Sequence, residues 1–102
     1  MFLVPKKDGT YRAVVDFRRV NSVTVPDHYP LPVLSDILQS IGKDNTVFST
    51  LDLKSGFWQI PLEKNSQVTA FSTPTGHYEW LRCPMGLRNS PLTCQRLVNS
   101  LF

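Results

Sequence analysis

Asp52 is the residue whose position most needs a chemical explanation. It lies in Leu51-Asp52-Leu53, an apolar, strand-like run, and Ser55, Gly56, Phe57 and Trp58 follow at once. Ionised carboxylates are seldom buried unless they are paired or hold a metal, so an acid on such a run invites a metal-binding or catalytic role. Ser55 and Gly56 let backbone N–H groups converge on an anion, and Phe57 and Trp58 set two aromatic faces beside it, which is one way to hold a phosphate and a sugar. The same pattern also serves an ordinary strand end, with Asp52 capping a turn, Gly56 bending the chain and the rings packed in a core. Residue types alone leave both readings standing.

A second candidate feature is charge. The net charge is +3, and the first nineteen residues carry all of the surplus: Lys6, Lys7, Arg12, Arg18 and Arg19 against Asp8 and Asp16. A local excess of this kind suits a polyanion, either a nucleic-acid backbone or a nucleotide triphosphate, although a basic face also serves solubility alone. His28, His77, Cys83 and Cys94 are scattered without the paired spacing of a zinc site, and the two cysteines are expected to be free thiols. His77 has no nucleophile or partner acid spaced to use it, so it reads as a packing or hydrogen-bonding residue.

These residues must be positioned by a chain of 102 residues, at most one domain with a modest core. No apolar run is long enough to span a bilayer, and Lys6, Lys7 and Asp8 interrupt any signal-peptide pattern. No membrane partner and an intracellular, cytoplasmic location are therefore expected. Two β-rich runs, residues 2–4 and 11–17, flank Lys7-Asp8-Gly9-Thr10, where Asp-Gly is a strong hairpin signal. Pro26, Pro30 and Pro32 predict a loop over residues 18–32. Val33, Leu34, Ile37, Leu38 and Ile41 recur at helical spacing, with Pro32 suited to a first helical position and Gly42 to the end. That helix is expected to pack on the sheet that carries Asp52. Residues 46–52 predict a strand, and residues 54–58 a turn or short helix. A second hairpin is expected from residues 68–72 and 77–81 around Thr73-Pro74-Thr75-Gly76. A last helix opens with Ser90 as N-cap and Pro91 at the first helical position, with Cys94, Leu97, Val98 and Leu101 on one face. It stops at Phe102 without a cap.

Leu51-Asp52-Leu53-x-Ser55-Gly56-Phe57-x-Gln59 resembles the first aspartate motif of reverse transcriptases of gypsy-type long-terminal-repeat retrotransposons. Two further stretches match in the same order. Val4-Pro5-Lys6-Lys7-Asp8-Gly9-x-Tyr11-Arg12 through Asp16-Phe17-Arg18-x-Val20-Asn21 resembles the fingers hairpin, and Thr69-Ala70-Phe71-Ser72 through Gly86-Leu87-Arg88-Asn89-Ser90-Pro91 resembles the region before and across the second polymerase motif. The resemblance implies an α+β fold, part of the fingers and palm of a polymerase, with antiparallel hairpins and a sheet with packed helices. Residues 1–25 would be the fingers hairpin and following loop, and residues 26–102 mixed fingers and palm.

The function implied is template-directed nucleotidyl transfer by an RNA-directed DNA polymerase within a Pol polyprotein. Its partners would be an RNA or DNA template with primer, deoxynucleoside triphosphates and the remainder of the polyprotein, with a virus-like particle as a further location. Asp52 would be the catalytic residue, binding two Mg2+ ions (or Mn2+) with help from the Leu53 carbonyl. Lys6 and Arg12 would meet the nucleotide's phosphates, as would the backbone amides of Ser55 and Gly56. Phe57 would stand against the ribose 2′ carbon, and Met85 would line the nucleotide pocket. Arg18, Gly86 and Pro91 would grip the template.

Some positions depart from the family's usual pattern: Met85 and Cys94 replace phenylalanine, Cys83 replaces methionine and Val68 replaces lysine. The family's Tyr-x-Asp-Asp element is also absent, so the 102-residue chain is expected to lack a full metal-ligand set. The alternative is a catalytically inactive remnant or a nucleic-acid-binding module using the basic hairpin.

Overall fold

The computed structural model describes residues 1–63 and 66–102. It is a small mixed structure of three helices, two 3-10 turns and two antiparallel hairpins. Strands β1 (Phe2–Pro5) and β2 (Tyr11–Val14) pair in register, Phe2 opposite Val14 and Pro5 opposite Tyr11. The expected Asp-Gly turn closes them. Gly9 takes φ 83°, a left-handed conformation that glycine adopts without a Cβ penalty. Asp8 Oδ1 accepts hydrogen bonds from the Thr10 hydroxyl at 2.6 Å and its N–H at 3.0 Å, and these hold the Asp8 carboxyl below its usual range.

The predicted loop over residues 18–32 is corrected in its first part. Arg18–Val23 forms a short helix, α1, because the prolines begin only at Pro26 and leave the preceding six residues free to coil. Helix α2 (Leu34–Ile41) ends as expected at Gly42, at φ 71°, but Pro32 lies before the N-cap residue Val33 rather than inside the helix. Its expected packing partner is missing. None of its residues is buried, and Leu34, Ile37 and Leu38 remain exposed.

The reason is the largest correction: residues 46–52 form no strand and pair with none among the described residues. Val47 and Leu51 are 86% and 81% exposed. β-propensity makes a segment ready to pair, but a strand exists only when another edge satisfies its N–H and C=O groups.

The 3-10 turn Gly56–Gln59 matches the turn or short helix expected over residues 54–58. The second hairpin is shorter than expected, with β3 (Phe71–Thr73) and β4 (Gly76–Tyr78) joined at the anticipated turn. Val68 instead belongs to a 3-10 turn, Ser66–Thr69. Helix α3 (Ser90–Leu101) begins one residue earlier than expected: Asn89 rather than Ser90 is the N-cap residue, and the Ser90 hydroxyl turns inward against the Cys83 thiol at 2.9 Å. Both cysteines are free, and Cys83 is buried.

The small core gathers Phe17, Cys83, Pro84, Thr69 and Ser90. Polar side chains link distant segments around it. Asn21 on α1 donates from Nδ2 to the Gly86 carbonyl at 2.8 Å and accepts the Arg88 N–H at 2.9 Å. Asn89 donates to the Val25 carbonyl at 2.9 Å and accepts the Asp27 N–H at 3.0 Å. Arg96 on α3 pairs with Asp27 at 2.6 Å and lies 4.9 Å from the centre of the Tyr29 ring. Antiparallel contact between residues 60–62 and 81–83, through the Leu62 N–H to the Leu81 carbonyl and the Cys83 N–H to the Ile60 carbonyl, completes the frame. Among the described residues, no helix is long and apolar enough to cross a membrane.

Candidate functional site

The N-terminal hairpin meets the 3-10 turn and the segment after β4 at a cleft of about 430 Å³. Lys6, Tyr11, Arg12 and Ala13 line one side, and Ser55, Trp58, Trp80 and Met85 line the rest. This is within the usual volume range of small-molecule sites. Four of the residues expected to serve a nucleotide, Lys6, Arg12, Ser55 and Met85, thus line one cavity although they are separated by most of the chain. Among the described residues, neither Lys6 nor Arg12 is engaged in an ion pair, so both charges face solvent and any anion that enters.

Ser55 shapes the far wall. It adopts φ 52°, ψ 46°, the left-handed region, and is the one non-glycine residue with positive φ among the described residues. For a residue with a Cβ this conformation costs about 1–2 kcal/mol, and such strain tends to collect at functional sites. The kink starts the turn Gly56–Gln59, which is closed by the Trp58 N–H donating to the Ser55 carbonyl at 2.9 Å and by Gln59 Nε2 reaching the Lys54 carbonyl at 2.7 Å. The first amides of such a turn lack an intrahelical partner. At Gly56 an added Cβ would come within 3.4 Å of Leu53 Cβ, so the turn is close to the strand-like run before it.

The remaining expected site residues stand as follows. Asp52 and Leu53 precede the turn, are exposed and do not line the cleft. Phe57 is half-buried behind the turn. Gly86 takes φ 94° and lies next to Phe17, where a Cβ would come within 3.6 Å of the ring. Pro91 is exposed in the first turn of α3. Arg18 is already engaged: Asp16 accepts from its Nε at 3.0 Å, its Nη2 at 2.7 Å and its backbone N–H at 3.0 Å. Those bonds, led by the guanidinium, push the Asp16 carboxyl down to about 2.

The cleft contains residues that sequence reasoning did not assign to it, Tyr11, Ala13 and Trp80. A signal was available for Trp80, since the chain has only two tryptophans and the other, Trp58, adjoins the aspartate motif. Their ring centres lie 6.3 Å apart.

The protein family described as reverse transcriptase (RNA-dependent DNA polymerase) matches residues 4–102. The chain belongs to the reverse transcriptase family. Among curated proteins, this reverse-transcriptase chain is 47% identical to the retrovirus-related Pol polyprotein from transposon 297 of Drosophila melanogaster, over 99% of its own length and 10% of that protein. It is 46% identical to the corresponding polyprotein from transposon gypsy of the same species, over 89% of the chain and 9% of the relative. It is also 42% identical to the enzymatic polyprotein of cauliflower mosaic virus (strain Strasbourg), over 95% of the chain and 14% of that protein. The chain therefore spans about a tenth of the length of the curated polyproteins it matches. Membership in this family, carried by polyproteins of this kind, does not favour the alternative of a catalytically inactive remnant or a nucleic-acid-binding module.

Proposed function

We propose that this chain supplies part of the fingers and palm of an RNA-directed DNA polymerase, with residues 1–25 as the fingers hairpin and loop and residues 26–102 as mixed fingers and palm. The complete enzyme, part of a retrotransposon polyprotein, would extend a primer on an RNA or DNA template with deoxynucleoside triphosphates. The observation that carries this reading is the meeting of Lys6, Arg12, Ser55 and Met85 on one cleft. Lys6, a mobile point charge, suits the outer phosphates, and Arg12, a rigid fork, suits the α-phosphate. Backbone amides at Ser55 and Gly56 face the same anion. Phe57 sets a ring where a ribose 2′-hydroxyl would collide, selecting deoxynucleotides by repulsion. Arg18, Gly86 and Pro91 contact the template, Arg18 after exchanging its Asp16 partner for phosphate.

Nucleotidyl transfer of this kind uses two divalent ions, here magnesium, with manganese able to substitute. This chain offers the Asp52 carboxylate and the Leu53 carbonyl. Those two donors do not by themselves fit a two-ion site, since no three His, Cys, Asp or Glu side chains gather among the described residues. The chain's own residues therefore bind and orient the nucleotide, and the other metal ligands come from outside these 102 residues.

Primer extension tests the reading. A complete polymerase domain containing this chain should extend a primer, and Asp52→Asn should reduce extension to background. Wild-type turnover in that variant would overturn the role of Asp52. The 102-residue chain alone should show no extension with magnesium or manganese, and extension that Asp52→Asn abolishes would refute that expectation.

A further inference from the structure

The cleft has an aromatic floor that the proposed nucleotide contacts leave unexplained. Trp58 and Trp80 are tilted by 30° at 6.3 Å, Phe71 on β3 lies 6.4 Å from Trp80, and Phe71 stacks on Tyr78 at 5.9 Å. The four rings form a continuous cluster from the second hairpin to the 3-10 turn. Aromatic pairs at these separations attract beyond the area they bury.

Trp80 is the centre of that cluster and is held from several directions. Its backbone N–H donates to Thr69 Oγ1 at 3.0 Å, and Thr69, only 1% exposed, is itself anchored through its hydroxyl to the Ser66 carbonyl. Two residues on, Arg82 pairs with Pro61 in a β-bridge and reaches the Gln59 carbonyl from Nη1 at 3.3 Å. The indole Nε1 is buried without a hydrogen-bond partner among the described residues, so ring packing is what fixes the side chain. Buried donors are seldom left unpaired, so this indole is held here for its ring rather than for its N–H. Trp58, at 44% exposed, presents more ring surface, and half-buried Trp80 lines the same cleft beside it.

We infer that Trp80 is a positioning residue for the cleft: by bracing Trp58 it fixes the Ser55–Gly56 turn against Lys6 and Arg12, and so governs nucleotide affinity rather than the chemical step. This rests on the nucleotide reading above. If the brace is lost, the turn wall recedes from the two cations and phosphate contacts are made less often, which weakens binding. Once a nucleotide is seated, Trp80 touches no reacting atom.

Steady-state kinetics on the complete polymerase domain decide the matter. Trp80→Ala should raise KM for deoxynucleotide about tenfold or more while changing kcat by less than about threefold, with primer–template affinity unchanged. Trp80→Leu, which keeps apolar volume but loses the flat ring, should behave similarly. Trp80→Phe should restore KM to within about twofold of wild type, since a ring is needed and the indole N–H is not. An unchanged KM in both the Ala and Leu variants would overturn the inference, as would an equal loss of kcat and template binding or a failure of both variants to fold, because Trp80 would then be a general core residue. A large KM rise in Trp80→Phe would overturn it differently, by showing that Nε1 is the working atom. Absence of primer extension by the wild-type complete domain would instead indict the polymerase reading itself.

Discussion

Asp16 and Arg18 form a pair in which geometry, more than burial, sets protonation. Both side chains are substantially exposed, 46% and 88%, so the pair contributes little to stability. Its effect on titration is clearer, because three hydrogen bonds from one residue favour the ionised carboxylate. A carboxyl lowered from 3.8 to about 2 adds whatever stability it has above about pH 4, and that contribution disappears as pH falls through about 2. Carbon-detected NMR titration of Asp16 should give a midpoint near 2. Arg18→Ala should move it upward but not fully to 3.8, since the backbone N–H still donates. An unmoved midpoint would show that the guanidinium does not hold the carboxylate in solution.

At the scale of elements, two asparagines join pieces that sequence separation keeps apart. Asn21 ties α1 to the Gly86–Arg88 turn, and Asn89 ties the start of α3 to residues 25 and 27. Neither was singled out from the sequence for this purpose, because a side-chain bond across more than sixty residues has no local periodicity to announce it. Asn89→Ala should leave the part-buried Asp27 amide without its acceptor, at a cost of about 1–2 kcal/mol. In a complete domain, hydrogen exchange at the Asp27 amide should then speed up roughly tenfold, since 1.4 kcal/mol is a factor of ten. Unchanged exchange would mean that the bond is not maintained in solution.

The whole molecule is more open than its length requires. Its radius of gyration is 17.1 Å, against about 13 Å for a compact domain of this length. Its accessible surface is 8771 Å², where size scaling gives roughly 5,800 Å² for a folded monomer of 11.6 kDa. Apolar side chains contribute to it: the α2 face, residues 46–53 and the end of α3 all leave large hydrophobic side chains exposed. Apolar surface on this scale marks regions that another polypeptide covers, or an association hazard when nothing does. The 102-residue chain on its own should therefore bind hydrophobic dyes, associate with rising concentration and melt without a sharp transition. A monomer with a cooperative melt and long-lived amide protection around Phe48 and Asp52 would refute this.

Local chemistry was legible in the order of residues. Asp-Gly between β-rich runs placed the first hairpin, Thr73-Pro74-Thr75-Gly76 placed the second, and the apolar spacing with Gly42 placed α2, since each depends on dihedral preference and on neighbours a few positions away. The three motifs likewise carried the family, and the family match covers residues 4–102. Tertiary structure decided what those elements do for one another. Among the described residues, 46–52 had strand composition but no second edge to bond, and α2 had an apolar stripe but no surface to bury it. Conversely, Lys6, Arg12, Ser55 and Met85 came to line one cleft only because the hairpin, the Ser55 turn and the segment after β4 converge, with residues 60–62 held beside 81–83. Pairing and convergence are properties of two segments at once, so no single stretch of sequence determines them.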